Sequence, residues 1–581
     1  MPHTAPTSSS ARSVPSVAIV GAGPGGLASA VLLASSGVHV TVYEAAAAIG
    51  GRTAHVHAGP YRFDSGPTFF MMPYVLDEVF AAAGTRLADE VELTRLDPMY
   101  RLVLGRSLEA GTGNAGGGAM SRDSNIILDA TQNIEEMSRR LSAINPRDGD
   151  AFKRFINDNR KKLQLSESIL RNPMRSPLDL FSSATWKDTL RVGPILKPWQ
   201  SVHDQLGEYF EHPQVRLAVS FQSKYLGMSP FECPSLFTIL PFIEYEYGIW
   251  HPKGGCHELM QALARVAVNA GATIHCGAPV EGVEFDTNHK DEPVARGVVI
   301  GGDGPLAGTT PKHDFVVLNA DATHALQSLI PASVQQRLRR SEQPEQLNKK
   351  KYSCSTAMLY LGVDGEVQLP HHTIYVSANY EQNLRDICGS DPGGGRVSED
   401  PSVYVCNPSR IDPTLAPKGK SSIYLLIPTP NCDAPIDWAK AMPAYRALAL
   451  QQVADQMGVD LRGRIEQEVV YTPDTWKQQR INKGATFNLA HNLGQMLHWR
   501  PQNHLAGLDN VYLVGGGTHP GSGLPTIFLS AQISTRMICD RLGISHSGVS
   551  QEVSQIATSR RMRDTTTQTQ QTPRPQFAGT V

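Results

Sequence analysis

The feature that most constrains this chain is a strand–turn–helix–strand unit at residues 17–44. Val17-Ala18-Ile19-Val20 is a short apolar run of β character, and Gly21-Ala22-Gly23-Pro24-Gly25-Gly26 follows it at once. Leu27 to Ser36 is dense in Ala and Leu and reads as a helix, with Gly37 as its stop. Val38 to Tyr43 is a second β run ending at Glu44, so a βαβ unit is expected here. The turn has G-x-G-x-x-G spacing. Gly21 permits the tight turn, Gly23 lets the backbone approach a pyrophosphate, and Gly26 allows close helix–strand packing. The helix start directs free N–H groups and a positive dipole end at the phosphates. Glu44, roughly 20 residues on, is placed to accept the ribose hydroxyls. Its carboxylate would repel a 2′-phosphate, which leaves NAD or FAD.

The rest of the chain must supply a large core, and its composition allows one. Of 581 residues, 41% are hydrophobic and 19% charged, which excludes disorder as the main state. Lys and Arg number 53 against 55 Asp and Glu, so no basic excess exists to neutralise nucleic acid. No run approaches the ~18 apolar residues of a spanning helix. Met1 to Ser16 is polar, without the basic start and apolar stretch of a secretory signal. The eight cysteines are scattered and form no CxxC, which suits reduced core thiols in a cytoplasmic setting. His55-x-His57, His371-His372 and the His251/His257 pair lack zinc-like ligand spacing. They read as strand, loop and surface residues, and no metal is expected.

Further motifs sharpen the cofactor. Ile49-Gly50-Gly51-Arg52-Thr53 follows the βαβ unit, then Tyr61-Arg62-Phe63-Asp64-Ser65-Gly66-Pro67. Near the other end, Asn510 to Val514 is a β run before Gly515-Gly516-Gly517-Thr518-His519-Pro520-Gly521-Ser522-Gly523-Leu524-Pro525, with a helix expected over Thr526–Leu542. A second glycine turn and helix start thus face an electron-rich group. The helical reading of 134–165 is interrupted at Asn145-Pro146, and 166–242 reads as a mostly helical lobe. Glu109–Asp123 and 388–402 read as Gly-rich loops.

The GG-R continuation resembles the FAD-dependent amine oxidase superfamily. The G-x-T-H-P-G-x-G-x-P run resembles the bacterial and fungal phytoene desaturases and related diapocarotenoid enzymes. Trp250-His251-Pro252-Lys253-Gly254-Gly255, Tyr225-Leu226-Gly227, Gly484-Ala485-Thr486-Phe487 and Trp499-Arg500-Pro501 agree with it, so the resemblance runs from about Val17 to Gly543. It implies an α/β fold: a Rossmann-like FAD-binding domain (15–75, 250–330 and 505–545) interleaved with an α+β substrate domain and a helical, membrane-associating lobe (76–249 and 331–504). The tails, 1–14 and 546–581, are expected to be disordered. It implies Gly21, Gly23, Gly26, Glu44, Gly51, Arg52, Gly66, Val280, Gly516, Gly517, Thr526 and Ile527 as FAD-binding residues. Gly516, Ser522 and Thr526-Ile527 depart from the family's commoner Ala, Ala and Gly-Val.

The implied reaction removes hydrogen from a saturated carbon–carbon bond of phytoene or a C30 analogue, with hydride passing to flavin N5 and electrons onward to oxygen or a quinone. Asp150 and Lys153 align with an acid and a base that the resemblance places in a substrate tunnel. The other reading is a solvated helix face bearing Asp150, Lys153 and Arg154. His519 either touches flavin or substrate, or holds the turn. A lipid-dissolved isoprenoid requires contact with a membrane surface. Residues 168–199, with Arg171, Arg175, Lys187, Arg191 and Lys197 beside Trp186 and Trp199, fit an interfacial segment. Leu236 to Ile243 fits either that role or a tunnel wall. A carotenoid oxidase or isomerase, or a non-catalytic FAD-bound scaffold, remains the alternative, and a homo-oligomer stays open.

Overall fold

A computed structural model of the chain describes residues 14–105, 125–389 and 395–547. The expected loop at Glu109–Asp123 lies outside them, as do all but residue 14 of the first tail and 548–581 of the second. Ser16–Val20 and His39–Tyr43 pair in parallel, Val17 opposite Val40, with helix Pro24–Ser35 crossing between them. This helix starts earlier than Leu27 because Pro24 at its first turn presets φ and Gly23 stands as N-cap. Gly25 through Ala34 are all buried, so the helix has no polar face and must be covered all round. Helices His257–Asn269 and Leu524–Leu542 supply that cover.

Three further strands complete a five-stranded sheet in the order Val511–Leu513, Phe315–Leu318, Ser16–Val20, His39–Tyr43, Thr273–His275. Every pairing is parallel. Both faces are covered, which explains why the strands read as continuous apolar runs rather than alternating ones. The loops at their carboxyl ends bring Gly21, Asn319 and Gly515 together.

A second, seven-stranded sheet has the order Ile465–Tyr471, Ser355–Val363, Ser421–Thr429, Val403–Cys406, His372–Val376, Tyr100–Leu104, Ile126–Ala130. It is antiparallel except where His372–Val376 meets Tyr100–Leu104. Helix Trp438–Met457 packs on one face through Trp438, Tyr445, Leu450 and Val453. The helical lobe lies against its other edge, in a core shared by Tyr100, Phe152, Phe155, Phe221 and Phe242.

The break expected at Asn145-Pro146 separates helix Ile134–Ser142 from Pro146–Leu170. The Asn145 side chain accepts from the N–H groups of Arg147 and Asp148, an N-cap with proline at the first turn. Residues 546 and 547, assigned to the second tail, are among the described ones, and the Ser547 hydroxyl donates to the Ser35 carbonyl at 2.8 Å.

Candidate functional site

Three glycine segments meet at the end of the parallel sheet. A Cβ on Gly26 would lie 2.1 Å from the Gly21 carbonyl oxygen, and one on Gly25 would lie 2.6 Å from Val514 Cγ1 and 3.2 Å from Ile527 Cγ2. A Cβ on Gly51 would come within 3.3 Å of Gly23 Cα. The Gly50 N–H donates to the Ala22 carbonyl at 2.9 Å. Gly21 itself sits at φ +101°, where a side chain is strained. The backbone is thus kept bare where a ligand's phosphates would approach, at the N-terminus of a buried helix.

Glu44, 9% exposed, locks the turn: its carboxylate accepts from the Ala22 N–H at 2.7 Å and the Ala46 N–H at 2.8 Å. Arg52 donates to the Thr486 carbonyl at 2.7 Å and the Asn488 side chain at 3.1 Å. Burial lowers its pKa, while nearby Asp321 opposes that. Gly66 packs on Arg52, since a Cβ there would sit 2.6 Å from the Arg52 carbonyl oxygen. Gly516 faces Asn488, and Gly517 faces Ala322. The Thr526 hydroxyl donates back to the Ser522 carbonyl at 2.8 Å, closing the first turn of the last helix. Val280 opens strand Val280–Thr287 and is buried with Val20 and Tyr43, one layer beneath the turn.

Two residues escaped the motif reading. Asn319, at the end of strand Phe315–Leu318, donates to the Gly21 carbonyl at 3.3 Å and faces Gly23 and Gly25. Arg500, 1% exposed, donates to the Gly516 carbonyl at 2.7 Å and the Leu489 carbonyl at 3.3 Å, while its Nε and Nη1 have no partner among the described residues. Burial pushes it down to about 10. An unpaired buried guanidinium is costly and calls for an electron-rich neighbour. The bare glycine backbone, the Glu44 carboxylate and this unsatisfied cation under Gly516 suit a large, anionic, oxygen-rich cofactor such as FAD. The Trp499-Arg500-Pro501 run held the only sequence signal for Arg500.

Other expected residues sit elsewhere. Asp150 is exposed, and Lys153 forms a surface ion pair with Glu135. The buried acid of that block is Asp148, spent on the N–H groups of Glu211 and His212. His519 is buried and contacts the Asn172 carbonyl at 3.0 Å, tying the C-terminal turn to the helical lobe. Burial holds it down to about 4.

The structure corrects the surface reading of His251 and His257: both are at most 5% exposed, His251 enclosed between Asp412 and His371, and His257 set against Thr53 and Gln261. His371 and His372, expected in a loop, are equally buried, and His372 opens a strand. His371 and His372 are held well below their ordinary value by burial and therefore stay neutral. Phe69 stacks on His372 at 4.1 Å and meets Tyr225 at 5.2 Å. Nearby, fully buried Glu244 accepts from Tyr100, Tyr225 and Gln222. An aromatic, water-poor interior therefore adjoins the loop that carries Gly66.

Comparison with known proteins agrees with this geometry. The profile of the family described as flavin containing amine oxidoreductase matches residues 24–538. A 4,4'-diapophytoene desaturase (4,4'-diapolycopene-forming) from Methylomonas sp is 40% identical over 90% of this chain and 95% of its own length. An all-trans-zeta-carotene desaturase from Myxococcus xanthus is 36% identical over 91% and 94%. A phytoene desaturase from Neurospora crassa is 30% identical over 94% and 88%. Among solved structures, an oxidoreductase from Methanosarcina mazei aligns with a TM-score of 0.56 at 16% identity, covering 89% of this chain and 98% of its own. A putrescine oxidase gives 0.54 at 16%, over 91% and 99%, which speaks for a common fold. With its glycine cradle, half-buried Arg52 and buried Arg500, and likeness to these enzymes over nine-tenths of its length, the chain belongs to the flavin containing amine oxidoreductases, as an FAD-dependent member of their carotenoid desaturase branch acting on CH–CH bonds.

Proposed function

We propose that this protein dehydrogenates an acyclic C30 or C40 polyene precursor, of the diapophytoene or phytoene type, to longer-conjugated products. The observation that carries the reading is the adjacency of the glycine cradle to the aromatic interior of Phe69, Tyr100, Tyr225 and Tyr404. Bound FAD supplies the hydride acceptor. The chain's own task is to position one bond and keep water out, since a polyene offers no ionisable handle. The relative from Methylomonas sp favours the C30 class. The domain division at 15–75, 250–330 and 505–545 against 76–249 and 331–504 follows the strand membership of the two sheets. A quinone or oxygen would reoxidise the enzyme.

Peripheral membrane attachment completes the proposal. No helix among the described residues is long and apolar enough to cross a membrane. Leu178, Phe181, Leu190 and Trp199 are 60–78% exposed and Trp186 is 42% exposed, all within the 168–199 segment. Arg175, Lys187 and Arg191 lie among them. Leu497 packs on the small core beneath this segment, and Trp499, 51% exposed, extends the patch. Burying one such side chain in the interface contributes on the order of 2 kcal/mol, and the basic residues add attraction to anionic lipid. Residues 236–243, by contrast, are mostly buried and support the tunnel-wall reading.

The test is incubation of FAD-loaded protein with liposomes carrying diapophytoene or phytoene, followed by chromatography and visible spectra. Coloured, longer-conjugated products are expected, with the C30 substrate turned over faster. Unchanged substrates with flavin bound and a quinone present would remove the desaturase reading and favour the oxidase or isomerase. Replacing Phe181, Leu190 and Trp199 by Ser together should weaken vesicle cosedimentation by about tenfold or more. Undiminished sedimentation would dismiss this patch as the anchor.

A further inference from the structure

We infer that His371, His372 and Cys406 form a binding site for a thiolate- and imidazole-preferring d-block cation, Zn(II) or Cu(I). The three residues belong to none of the flavin cradle's glycine motifs, although they adjoin the aromatic interior through Phe69 and Tyr404, and they carry no recognisable metal spacing. The sheet brings them together. His372 and Cys406 are direct cross-strand partners in the antiparallel pair His372–Val376 and Val403–Cys406, so their side chains leave the same face. His371 precedes that strand, fixed by the Asn407 N–H donating to its carbonyl at 2.8 Å.

The donor atoms converge. His371 Nδ1 and His372 Nδ1 are 3.3 Å apart, and Cys406 Sγ is 3.9 Å from His371 Nδ1. All three donors lie within 4.8 Å of one another, and all three residues are buried. An ion about 2.1 Å from each nitrogen and 2.3 Å from sulfur needs donors roughly 3.4–3.7 Å apart. The His371–His372 and His371–Cys406 pairs stand within a few tenths of an ångström of that spacing, and the third pair closes from at most 4.8 Å. Two imidazoles with one thiolate select Zn(II) or copper over Mg(II) or Ca(II).

The second observation is a hydrogen-bond ladder that fixes which nitrogen is bare. Asp412 accepts from the Gly254 N–H, the Thr414 N–H and the Thr414 hydroxyl, and it faces His251 Nε2 at 3.0 Å. A carboxylate only accepts, so the neutral His251 ring carries its one proton on Nε2 and leaves Nδ1 bare. His371 Nε2, 3.1 Å away, then donates to it. The His371 Nδ1 lone pair is therefore turned toward His372 and Cys406. A carboxylate-oriented histidine is the support that metal ligands use. Phe69 stacks on His372 and holds its ring, and the Tyr404 hydroxyl, 2.7 Å from His372 Nδ1, stands ready as an oxygen donor. On binding, Cys406 gives its proton to solvent and its thiolate is neutralised by the cation, with no change of oxidation state.

The test uses the full-length, FAD-loaded protein, produced in zinc- or copper-supplemented medium, with metal measured by plasma mass spectrometry after exhaustive dialysis. About one retained ion per chain is expected. The medium whose metal is retained distinguishes zinc from copper. Asp412→Asn, which leaves all three ligands in place, should weaken retention about 10- to 100-fold. Titrating chelator-treated protein with Co(II) should produce a thiolate-to-cobalt charge-transfer band that Cys406→Ala abolishes while flavin stays bound. Should that variant fail to fold, the wild-type spectrum and metal content decide alone. Flavin-loaded wild-type protein that retains neither metal and shows no charge-transfer band overturns the proposal and leaves the cluster a hydrogen-bond ladder.

Discussion

The molecule contains two buried polar regions built on opposite principles. At the end of the parallel sheet, the Gly21–Gly26 turn, Gly50-Gly51 and the glycines of 515–523 make a site by removing side chains: an added Cβ would meet backbone at 2.1 Å on Gly26 and 3.3 Å on Gly51, and packed side chains at 2.6–2.9 Å on Gly516, Gly517 and Gly521. Beneath the seven-stranded sheet, His251, His371, His372, Tyr404, Cys406 and Asp412 make a site by adding them, each satisfied mainly by the next. The first tolerates almost no substitution yet has little to titrate. The second tolerates changes of shape but is sensitive to where its protons lie.

The sharpest way to break the first region is Gly26→Ala. Its Cβ would meet the Gly21 carbonyl, a backbone atom that cannot swing away. The variant is expected to purify with at least about tenfold less flavin per chain, since overpacking here costs several kcal/mol. Gly37→Ala is the control: nothing lies within 4 Å of its Cβ, and only its φ of +82° adds strain. Its effect should be near 1 kcal/mol with flavin retained. Equal flavin loss in both would show that the cradle does not depend on backbone contact.

Arg500→Leu separates cofactor recognition from stability. Losing the guanidinium removes bonds to the Gly516 and Leu489 carbonyls but also an unpartnered buried charge. Flavin affinity should fall about 10- to 100-fold, the worth of charged hydrogen bonds, while the flavin-free protein melts no lower than its parent. Unchanged affinity in a flavin titration would place the Arg500 partner elsewhere.

These variants also mark how far the sequence could be read. The cradle was legible because its parts are contiguous: G-x-G-x-x-G, the strand before it and Glu44 lie within 28 residues. Val280, Thr526 and Ile527 followed only from resemblance, and the structure puts their side chains into packing or helix closure. Asn319 and Arg500 were missed because each is a lone polar residue whose partner lies across the fold. The burial of His251 and His257, and the place of His372 in a strand rather than a loop, were hidden for the same reason. Nothing local to His371-His372 announces that Cys406, 34 residues later, will be its neighbour in an antiparallel register.

The aromatic interior that Phe69 joins to the second region, by stacking on His372 and meeting Tyr225, is sharpened by pH. Burial pushes Glu244 up to about 7, against an ordinary 4.5, although Tyr100, Tyr225 and Gln222 all donate to it. The folded protein thus holds this proton more tightly than the unfolded chain does. The associated stability is full below pH 4.5 and is lost as pH rises through 7, amounting to about 3 kcal/mol. Glu244→Gln copies the protonated form. It should match the parent near pH 4.5 and exceed it at pH 8 in urea denaturation, flattening the profile between. Parallel profiles at all pH values would mean that Glu244 holds its proton equally tightly in the folded and unfolded chain, and would dismiss the stability assigned to its burial.

The smallest effect is expected at Asp150 and Lys153, and it tests the comparison from outside. Lys153 is paired with Glu135 at the surface, with side-chain exposures of 41% and 77%, a geometry worth well under about 1 kcal/mol. Asp150, on the same helix, is exposed as well. A base that takes a proton from a polyene must stand where water is excluded, and a solvent-screened side chain gains nothing there. The double variant Asp150→Asn, Lys153→Gln should therefore desaturate within about twofold of the parent, as expected of surface substitutions away from the reacting bond. A fall of tenfold or more, with melting temperature and flavin content unchanged, would instead draw this helix face into the substrate path. The proton would then be taken at the lobe rather than beneath the sheet, and the division between a bare cradle and a titrating interior would no longer describe how this enzyme works.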